Sequence, residues 1–470
     1  MSTAPDLSAS PFLSGNFAPT HNEVDRACKE VIGTIPADFR GSFLRVGPNP
    51  LVAPLSIERY HPFDGDGMVH QLAFSNGNAQ YRNRFVETPG LAREREAGKA
   101  LWGGFMDIGN SPRPDDMPLK NLANTAFVHQ AGRTFATFEA GAPVEIELEN
   151  LSTIGEEKFD GQWKTSFTAH PKVDPRNDDL VFLGYSPFPP YVRYGVADKT
   201  GKLVHDVPLE LPRAVMIHDM AITENYTLIL DMPVTFSLER VGQGGPAFAW
   251  EPENGARIGV IPRRGTSEDM RWFEVDLGYI FHVFNAWEEG EHIVLDACRS
   301  NQTQILTSDG ASAEDEMARF RQYRLNLITG RSEERDMAAA FLDFPRINET
   351  RMSHKNQFGY ASGFATEYGA SLLFDSIVKF DRETESLETI ELGNGTYTQE
   401  FVFAPRVGAR TEDDGYVVGL IRDEPNALSE CWIIDAQRFG DGPVARIQIP
   451  ERVPYGFHSH WVDQPGPPSA

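Results

Sequence analysis

The 470-residue sequence has few cysteines, no long apolar run and a deficit of basic residues. Its three cysteines, Cys28, Cys298 and Cys431, lie far apart in no metal-binding spacing, which favours a reducing compartment. No run approaches the roughly 18 apolar residues of a membrane-spanning helix. The amino terminus also lacks the charged and apolar regions of a signal peptide. We therefore expect a cytoplasmic protein.

The shortage of basic charge excludes some partners. The chain has 43 lysines and arginines against 68 aspartates and glutamates, and its net charge is −25. Nucleic acids are bound by basic faces, and anionic membranes attract clusters of basic residues. The composition therefore argues against a nucleic-acid partner and against a polybasic membrane anchor.

Helical periodicity is also scarce, and only Leu91–Leu101 and Ala313–Phe320 are candidate helices. Elsewhere, short alternating apolar runs are separated by polar turns, which is the pattern of β-hairpins. Seven such turns lie near Gly77, Leu151, Thr200, Gly265, Thr329, Thr384 and Phe439. Repeated β-units of this size predict an all-β, seven-bladed β-propeller, with an assortment of β-sandwiches as the alternative. We expect one such domain over residues 21–462, between flexible tails at 1–20 and 463–470.

Four histidines stand out by their positions in this repeat. They lie in Thr168-Ala-His170-Pro, Met216-Ile-His218-Asp, Ile280-Phe-His282-Val and Tyr455-Gly-Phe-His458. Each follows the preceding turn by 17 to 19 residues, so the four occupy nearly one register in four blades. Equivalent positions in propeller blades form a ring about the central axis. A lone buried histidine is usually a core residue, whereas four in one register predict the ligands of one metal.

Two carboxylates fall near the same register, Asp343 and Glu400. Metal-bound imidazoles usually donate their second N–H to a carboxylate or a carbonyl. We expect these two residues to orient the histidines, although a strand-end cap or a solvated ion pair is the alternative. Four neutral imidazoles without thiolate or carboxylate exclude calcium, magnesium and cysteine-type zinc sites. Zinc, copper, nickel and iron remain open by ligand type alone.

Eight ordered motifs extend this pattern over most of the chain. They are Gly41–Pro50, Phe63–Met68, Asn121–Thr125, Thr168–Pro171, His218–Asn225, Phe281–Glu288, Phe344–Ile347 and Gly456–His458. In these motifs the sequence resembles the carotenoid cleavage oxygenases, a family that includes carotenoid, apocarotenoid and lignostilbene dioxygenases and the vertebrate retinoid isomerase. The resemblance implies a seven-bladed propeller with a dome of loops over Fe(II), which would be held by His170, His218, His282 and His458.

The resemblance also implies a reaction and further site residues. The reaction would be oxidative cleavage of an alkene by O₂ into two carbonyl products, with Fe(II) as the cofactor. The carboxylates that orient the histidines would be Glu139, Asp343 and Glu400, and Asp343 departs from the glutamate usual in the family. Phe63 corresponds to an aromatic wall near the iron.

The positions that correspond to the family's phenol-binding residues favour an apolar substrate. Stilbene-cleaving members carry a tyrosine and a lysine there, and the matching residues in this chain are Trp102 and Phe138. Neither can pair with a phenolate, whose burial without partners is unfavourable. We expect a carotenoid or apocarotenoid substrate, with small aryl alkenes such as stilbenes or isoeugenol as the alternative. A non-catalytic binding scaffold is a third possibility, of a different class.

An apolar substrate of this kind must be drawn from a membrane or a carrier. Trp102, Phe105 and Met106 follow the first candidate helix, and together they would form an apolar patch at a tunnel mouth. The sequence therefore suggests a peripheral membrane contact.

Overall fold

The computed structural model describes residues 6–107, 112–117, 119–303, 313–365, 373–393 and 395–463. Within these ranges the chain is mostly β. The strands are β1 (Asp25–Ala27), β2 (Val31–Gly33), β3 (Gly41–Pro48), β4 (Gly67–Ser75), β5 (Asn78–Phe85), β6 (Ala126–Gln130), β7 (Arg133–Thr137), β8 (Val144–Ile146), β9 (Thr153–Glu156), β10 (Lys172–Asp174), β11 (Asp179–Tyr185), β12 (Val192–Ala197), β13 (Leu203–Leu209), β14 (Ala221–Ile222), β15 (Tyr226–Asp231), β16 (Val234–Phe236), β17 (Phe248–Trp250), β18 (Ala256–Pro262), β19 (Arg271–Val275), β20 (Tyr279–Glu289), β21 (His292–Ser300), β22 (Arg319–Asn326), β23 (Ser332–Arg346), β24 (Phe358–Phe364), β25 (Phe374–Asp381), β26 (Ser386–Glu391), β27 (Thr396–Pro405), β28 (Gly415–Asp423), β29 (Leu428–Asp435), β30 (Pro443–Gln448) and β31 (Ser459–Asp463). The α-helices are α1 (Pro89–Ala97), α2 (Leu238–Gly242) and α3 (Ala313–Glu316).

The strands pair antiparallel with their neighbours in sequence. Strands β6 to β9 form one sheet, β10 to β13 a second, and β14, β15, β18 and β19 a third. A longer path runs from β20 to β30, with β26 on the side of β25 and β2 on the edge of β30, and β16 and β17 form a separate pair. The last sheet joins both ends of the chain, in the order β1-β5-β4-β3-β31.

The seven turns predicted from the sequence all lie between paired strands. They join β4 to β5, β8 to β9, β12 to β13, β18 to β19, β22 to β23, β25 to β26 and β29 to β30. Gly77 in the first of them has a φ of 73°, a conformation that glycine adopts without steric cost. The hairpin prediction is therefore confirmed at each position.

One strand from each successive meander faces a common centre. The strands β6, β10, β14, β20, β23, β27 and β31 contact one another in that order, and β31 in turn contacts β6. Strand β23 belongs to two meanders, because its first part, from Ser332 to Asp336, pairs with β22 and its last part, from Leu342 to Arg346, pairs with β24. The ring of contacts brings the starts of distant strands together at one place.

The apolar core lies between neighbouring sheets. One cluster packs Phe43 and Leu72, from the sheet that joins the chain ends, against Val418 and Ile433 of the next sheet. Phe39 extends this cluster by stacking on Trp461, with ring centroids 4.7 Å apart. Burial of each such side chain stabilises the fold by about 1.5–3 kcal/mol, so the sheets are held mainly by the packing of their faces.

The helices are shorter than predicted. Helix α1 ends at Ala97 because Gly98 takes a left-handed conformation, with a φ of 64°, and its N–H caps the helix through the Glu94 carbonyl. Helix α3 ends at Glu316, and Phe320 belongs to β22. None of the helices in the described ranges combines the length and apolar content that crossing a membrane requires.

The segment predicted as an amino-terminal tail is packed from residue 6 onwards. It forms three short 3-10 helices in which Leu13 and Asn16 are buried, and the Tyr455 N–H donates to the Asn16 carbonyl at 2.9 Å. Residues 1–5 and 464–470 lie outside the described ranges. The domain limits at 21 and 462 stay predictions.

Candidate metal centre

The four predicted histidines lie at equivalent places in the ring of strands. His170 lies just before β10, His218 just before β14 and His458 directly before β31, while His282 is the fourth residue of β20. Register shifts in β20 on both sides of His282 bend the strand at this point. Because these strands face the centre, all four side chains reach it.

The four imidazoles meet closely. The Nε2 atoms of His170 and His218 are 3.1 Å apart, and those of His218 and His282 are 3.2 Å apart. One ring nitrogen from each of the four lies within 4.8 Å of the others. The His458 ring completes the group, with its centroid 4.2 Å from that of His170. The group could hold a metal ion.

The environment keeps two of these rings suited to bind a cation. His218, His282 and His458 are buried, and His170 is partly buried. Burial, together with the other imidazoles, holds the pKa of His170 and of His458 well below the ordinary value. These two rings are therefore neutral at pH 7, with ring-nitrogen lone pairs available to a metal.

Glu139 lies behind His218 and accepts a hydrogen bond from its Nδ1. Burial is the largest influence on His218 and opposes its protonation, but the charge and hydrogen bond of Glu139, together with the charges of Asp219 and Asp343, outweigh it, and the pKa of His218 is raised. The second carboxylate oxygen of Glu139 accepts a hydrogen bond from the Tyr185 hydroxyl at 2.5 Å. Gly141 allows the loop that carries Glu139 to pack against Asn121, because a Cβ there would come within 2.3 Å of the Asn121 side chain.

Asp343 lies behind His282. Its Oδ1 accepts from His282 Nδ1 at 2.8 Å and from the backbone N–H of Phe344 at 2.8 Å. Asp343 thus reaches its histidine directly, although an aspartate side chain is shorter than the glutamate usual in the family. Phe344 has a φ of 54°, uncommon for a residue with a side chain, and its ring stacks on that of His282 at 5.3 Å. The β23 backbone therefore departs from regular geometry next to the imidazole cluster.

Glu400, in β27, lies behind His458 and accepts from its Nδ1 at 3.0 Å. The Ser459 backbone N–H donates to the other carboxylate oxygen at 2.5 Å. Burial raises the pKa of Glu400 to about 7, although the Arg346 guanidinium opposes this. Three of the four histidines thus have a carboxylate partner, and among the described residues no carboxylate bonds the ring of His170.

A cavity opens beside the imidazole cluster and encloses about 960 Å³, counting its opening to solvent. Its walls are mainly aromatic: Phe63, Phe138, Phe281, Phe344, Phe364, Phe374 and Phe457. Phe63 lies on a short 3-10 helix, Pro62–Asp64, and its ring packs edge-to-face on that of Phe457 at 5.4 Å. The structure thus places Phe63 and Phe138, both predicted to contact substrate, in the wall of this cavity.

Trp102 is located elsewhere. Its side chain is buried outside the lining of this cavity, and its indole N–H donates to the Met117 carbonyl at 2.8 Å. Phe105 also turns inwards, since its ring stacks on that of Phe248 at 5.4 Å. Of the three residues predicted to form a membrane-facing patch, only Met106 is exposed, at 39%. The patch is therefore not found, because apolar packing satisfies the two aromatic rings inside the fold.

Several residues of the site were not predicted. Tyr185 ends β11, and no local motif marks it as the partner of Glu139. Cys298 and Ser300 line the cavity from β21 and Glu316 lines it from α3, and none of the three lies in one of the eight sequence motifs. His460, two residues after the last histidine of the cluster, is buried but lies outside the four-histidine group.

The cluster of four imidazoles, three of them backed by carboxylates, opens onto this cavity in a mostly β fold, and it could hold a metal ion. The family model described as retinal pigment epithelial membrane protein matches residues 17–463. The chain therefore belongs to this family, which is also that of the carotenoid cleavage oxygenases.

Named relatives cover nearly the whole chain. A carotenoid 9,10(9',10')-cleavage dioxygenase from Crocus sativus is 36% identical, over 96% of this chain and 89% of the relative. An isoeugenol monooxygenase from Pseudomonas nitroreducens is 32% identical, over 97% of this chain and 98% of the relative. The crystal structure of a Pseudomonas brassicacearum lignostilbene dioxygenase is similar with a TM-score of 0.90 and 28% identity, covering 99% of this chain and 100% of that one.

Proposed function

We propose that this protein is a non-haem Fe(II) dioxygenase that cleaves a C=C bond of a carotenoid or apocarotenoid. In this reaction each alkene carbon takes one oxygen atom of O₂, which gives two carbonyl products without an external reductant. The observation that carries the proposal is the four-imidazole cluster in the wall of an aromatic cavity. The similarity to a carotenoid cleavage dioxygenase supports the substrate class.

Iron is the metal proposed for His170, His218, His282 and His458. A neutral imidazole set suits zinc, copper, nickel and iron alike, so the ligands alone leave the choice open. The reaction decides it, since bound Fe(II) supplies the electrons that activate O₂. The names of the relatives, which are oxygenases, support this choice.

The three carboxylates fix which nitrogen of each ring faces the metal. Glu139, Asp343 and Glu400 accept from Nδ1 of their respective histidines, which holds the proton on that atom. The Nε2 lone pair of each ring then points away from the carboxylate and towards the centre of the cluster. The same hydrogen bonds fix the ring planes, so the ligand positions are set before a metal arrives.

The aromatic walls hold the substrate and exclude water. Phe63 and Phe138 are the proposed contacts, on a cavity whose lining includes five other phenylalanines. An extended polyene gains by burying its apolar surface there. The position of the cleaved bond would then depend on how far the polyene extends into the cavity past the imidazole cluster. Trp102, outside this lining, is left out of the proposed substrate site.

For the scaffold we propose a seven-bladed propeller over residues 21–462, with a dome of loops and short helices above the metal. Support comes from the closed order of contacts among β6, β10, β14, β20, β23, β27 and β31. The seven confirmed hairpin turns, one in each meander, support the same count.

A small aryl alkene, such as a stilbene or isoeugenol, is the second candidate substrate. The structural similarity to a lignostilbene dioxygenase and the sequence similarity to an isoeugenol monooxygenase favour it. The reaction and the metal would be the same, and only the shape and polarity of the ligand would differ.

The test is metal analysis of the purified protein, followed by product analysis in air. An apocarotenal and resveratrol are supplied separately. About one iron per chain with a shortened apocarotenal supports the proposal as stated. Cleavage of resveratrol alone would keep the reaction but move the substrate to the aryl alkenes. An iron-loaded protein that cleaves neither, nor isoeugenol, would return the fold to a binding scaffold.

A further inference from the structure

Four polar side chains, those of Thr125, Ser300, Thr303 and Glu316, line the cavity without belonging to the imidazole cluster or its carboxylates. Ser300 ends β21, Thr303 follows it and Glu316 ends α3. Ser300 and Thr303 are almost fully buried, and Glu316 is half-buried. The rest of the lining includes seven phenylalanines, together with Thr125 and the carboxylates of Glu139 and Asp343.

Their distance from the metal centre follows from the pairing of β20 with β21. Cys298 lies opposite His282 in the pairing, and Ser300 lies opposite Tyr279. Cys298 and Ser300 point to the same face, because they are two residues apart on one strand. Two residues of antiparallel strand span about 6.8 Å. Ser300 therefore lies about 6.8 Å further along β21 than Cys298, the residue paired with His282.

Thr303 and Glu316 lie beyond Ser300 on two segments that hydrogen bonds hold together. The Gln302 N–H donates to the Asp315 carbonyl at 3.0 Å, and the Asn301 side-chain amide donates to the Asp315 carboxylate at 3.2 Å. These bonds bring the end of β21 and the end of α3 side by side. The three oxygen-bearing side chains thus belong to one end of the cavity.

The chemistry of this end selects one functional group. An ionised carboxylate only accepts hydrogen bonds, whereas serine and threonine hydroxyls accept and donate. A ligand hydroxyl can donate to Glu316, but an aldehyde oxygen cannot, and a carboxylate or phenolate would be repelled. This end therefore suits a neutral O–H group.

We propose that Ser300, Thr303 and Glu316 bind a hydroxyl group of the substrate at this end of the cavity. This inference rests on the proposed function and narrows its substrate class to hydroxylated alkenes. Two sources share the chemistry: a phenol on an aryl alkene, and an alcohol on the terminal ring of an apocarotenoid. Neither has to ionise, in keeping with a phenylalanine, Phe138, in the cavity wall where the phenol-binding relatives have a lysine.

The experiment measures binding of matched ligand pairs to the iron-loaded protein without O₂. One pair is trans-4-hydroxystilbene and trans-stilbene, and the other is a 3-hydroxylated apocarotenal and its deoxy parent. The variants are Glu316→Gln, Glu316→Leu and Ser300→Ala. Glu333→Gln is the matched control, because it removes the same charge from an exposed position on β23. Thermal unfolding checks that each variant is folded.

We expect the wild type to bind the hydroxylated member of one pair roughly tenfold or more tightly than its partner, as a hydrogen bond to a charged group allows. Both Glu316 variants should lose this preference through weaker binding of the hydroxylated ligand alone, and Ser300→Ala should lose part of it. The pair that shows the preference identifies the source. If Glu316→Leu does not fold, Glu316→Gln and Ser300→Ala carry the same comparison.

Equal affinity within both pairs in the wild type would overturn the inference, as would an unchanged preference in folded Glu316 variants. Product analysis in air is a separate measurement on the same samples. Cleavage of alkenes with no difference between hydroxylated and deoxy substrates would support the proposed function and contradict the hydroxyl-binding site. A preference for the hydroxylated ligand without any cleavage would support the hydroxyl-binding site and contradict the dioxygenase function.

Discussion

Replacing Glu139 by glutamine tests whether the carboxylates behind the histidines determine metal affinity. Glu139 accepts from His218 Nδ1 on one oxygen and from the Tyr185 hydroxyl on the other. Glutamine keeps the size of the side chain and one acceptor oxygen but removes the charge. It also replaces the acceptor facing Tyr185 by an NH₂ donor, or the acceptor facing His218 if the amide is turned round. In the first orientation the Tyr185 hydroxyl must turn to accept from the NH₂, in the second the hydrogen bond to His218 is lost, and the negative charge behind His218 is absent in both.

The expected loss follows from the role of such partners in metal sites. Substitution of a group that orients a metal-bound histidine typically weakens metal affinity 10- to 100-fold, or about 1.4–2.8 kcal/mol. Tyr185→Phe leaves the charge of Glu139 in place and removes one hydrogen bond, about 0.5–1.5 kcal/mol, so roughly a two- to tenfold weakening is expected. Burial, reinforced by Glu139, raises the pKa of Tyr185 well above its ordinary value, so the hydroxyl stays protonated at any working pH.

The assay is anaerobic competition for Fe(II) between the protein and a chromophoric chelator, with Glu333→Gln as the charge-matched control on an exposed strand. The order of affinity should be wild type and control, then Tyr185→Phe, then Glu139→Gln. Wild-type affinity in a folded Glu139→Gln protein would show that the hydrogen bond to His218 has no part in metal binding, and the reasoning from the three carboxylates would fail with it.

Three further predictions concern the cluster and the fold that carries it. His218→Ala should abolish metal retention and turnover while near-ultraviolet circular dichroism stays native, and full activity would remove the core of the proposal. Lys120→Met leaves the buried carboxylates of Asp66 and Glu94 without the cation that they share. The loss should cost about 3–5 kcal/mol in urea unfolding, and a loss below 1 kcal/mol would contradict this. Gly47→Ala would place a Cβ 2.4 Å from the backbone that leads to the last histidine, so overpacking of about 1–3 kcal/mol is expected in the same assay, and an unchanged midpoint would refute it.

Much of the β-architecture could be predicted from local sequence, because turn chemistry and strand alternation are local properties. The turn at Gly77, for example, needs only a glycine between two apolar runs. The convergence of the histidines could also be predicted from the sequence, since His170 and His218 follow their turns at nearly equal intervals. A repeated unit converts sequence spacing into position in space, which an irregular fold does not allow.

The remaining site residues depend on packing between distant segments. Trp102 occupies the position that corresponds to a phenol-binding tyrosine, yet its ring is buried elsewhere because the indole N–H finds the Met117 carbonyl. Tyr185 and Ser300 reach the site only through the pairing of their strands. Asp343 departs from the glutamate usual in the family, yet it accepts from its histidine directly at 2.8 Å, with an irregular β23 backbone beside it.

The pairing of β31 with β3 has a consequence for the order of assembly. His458 directly precedes β31, so the fourth imidazole is in place only when the last described strand has docked beside one of the first. Contacts between segments so far apart in sequence form late and slowly. A metal that needs all four rings would then bind only after docking, and it would stabilise the docked state by about 2.7 kcal/mol at a free concentration one hundred times its dissociation constant. The ion would hold the two ends of the chain together, and its loss would weaken the pairing of β31 with β3 before the other contacts in the ring of strands.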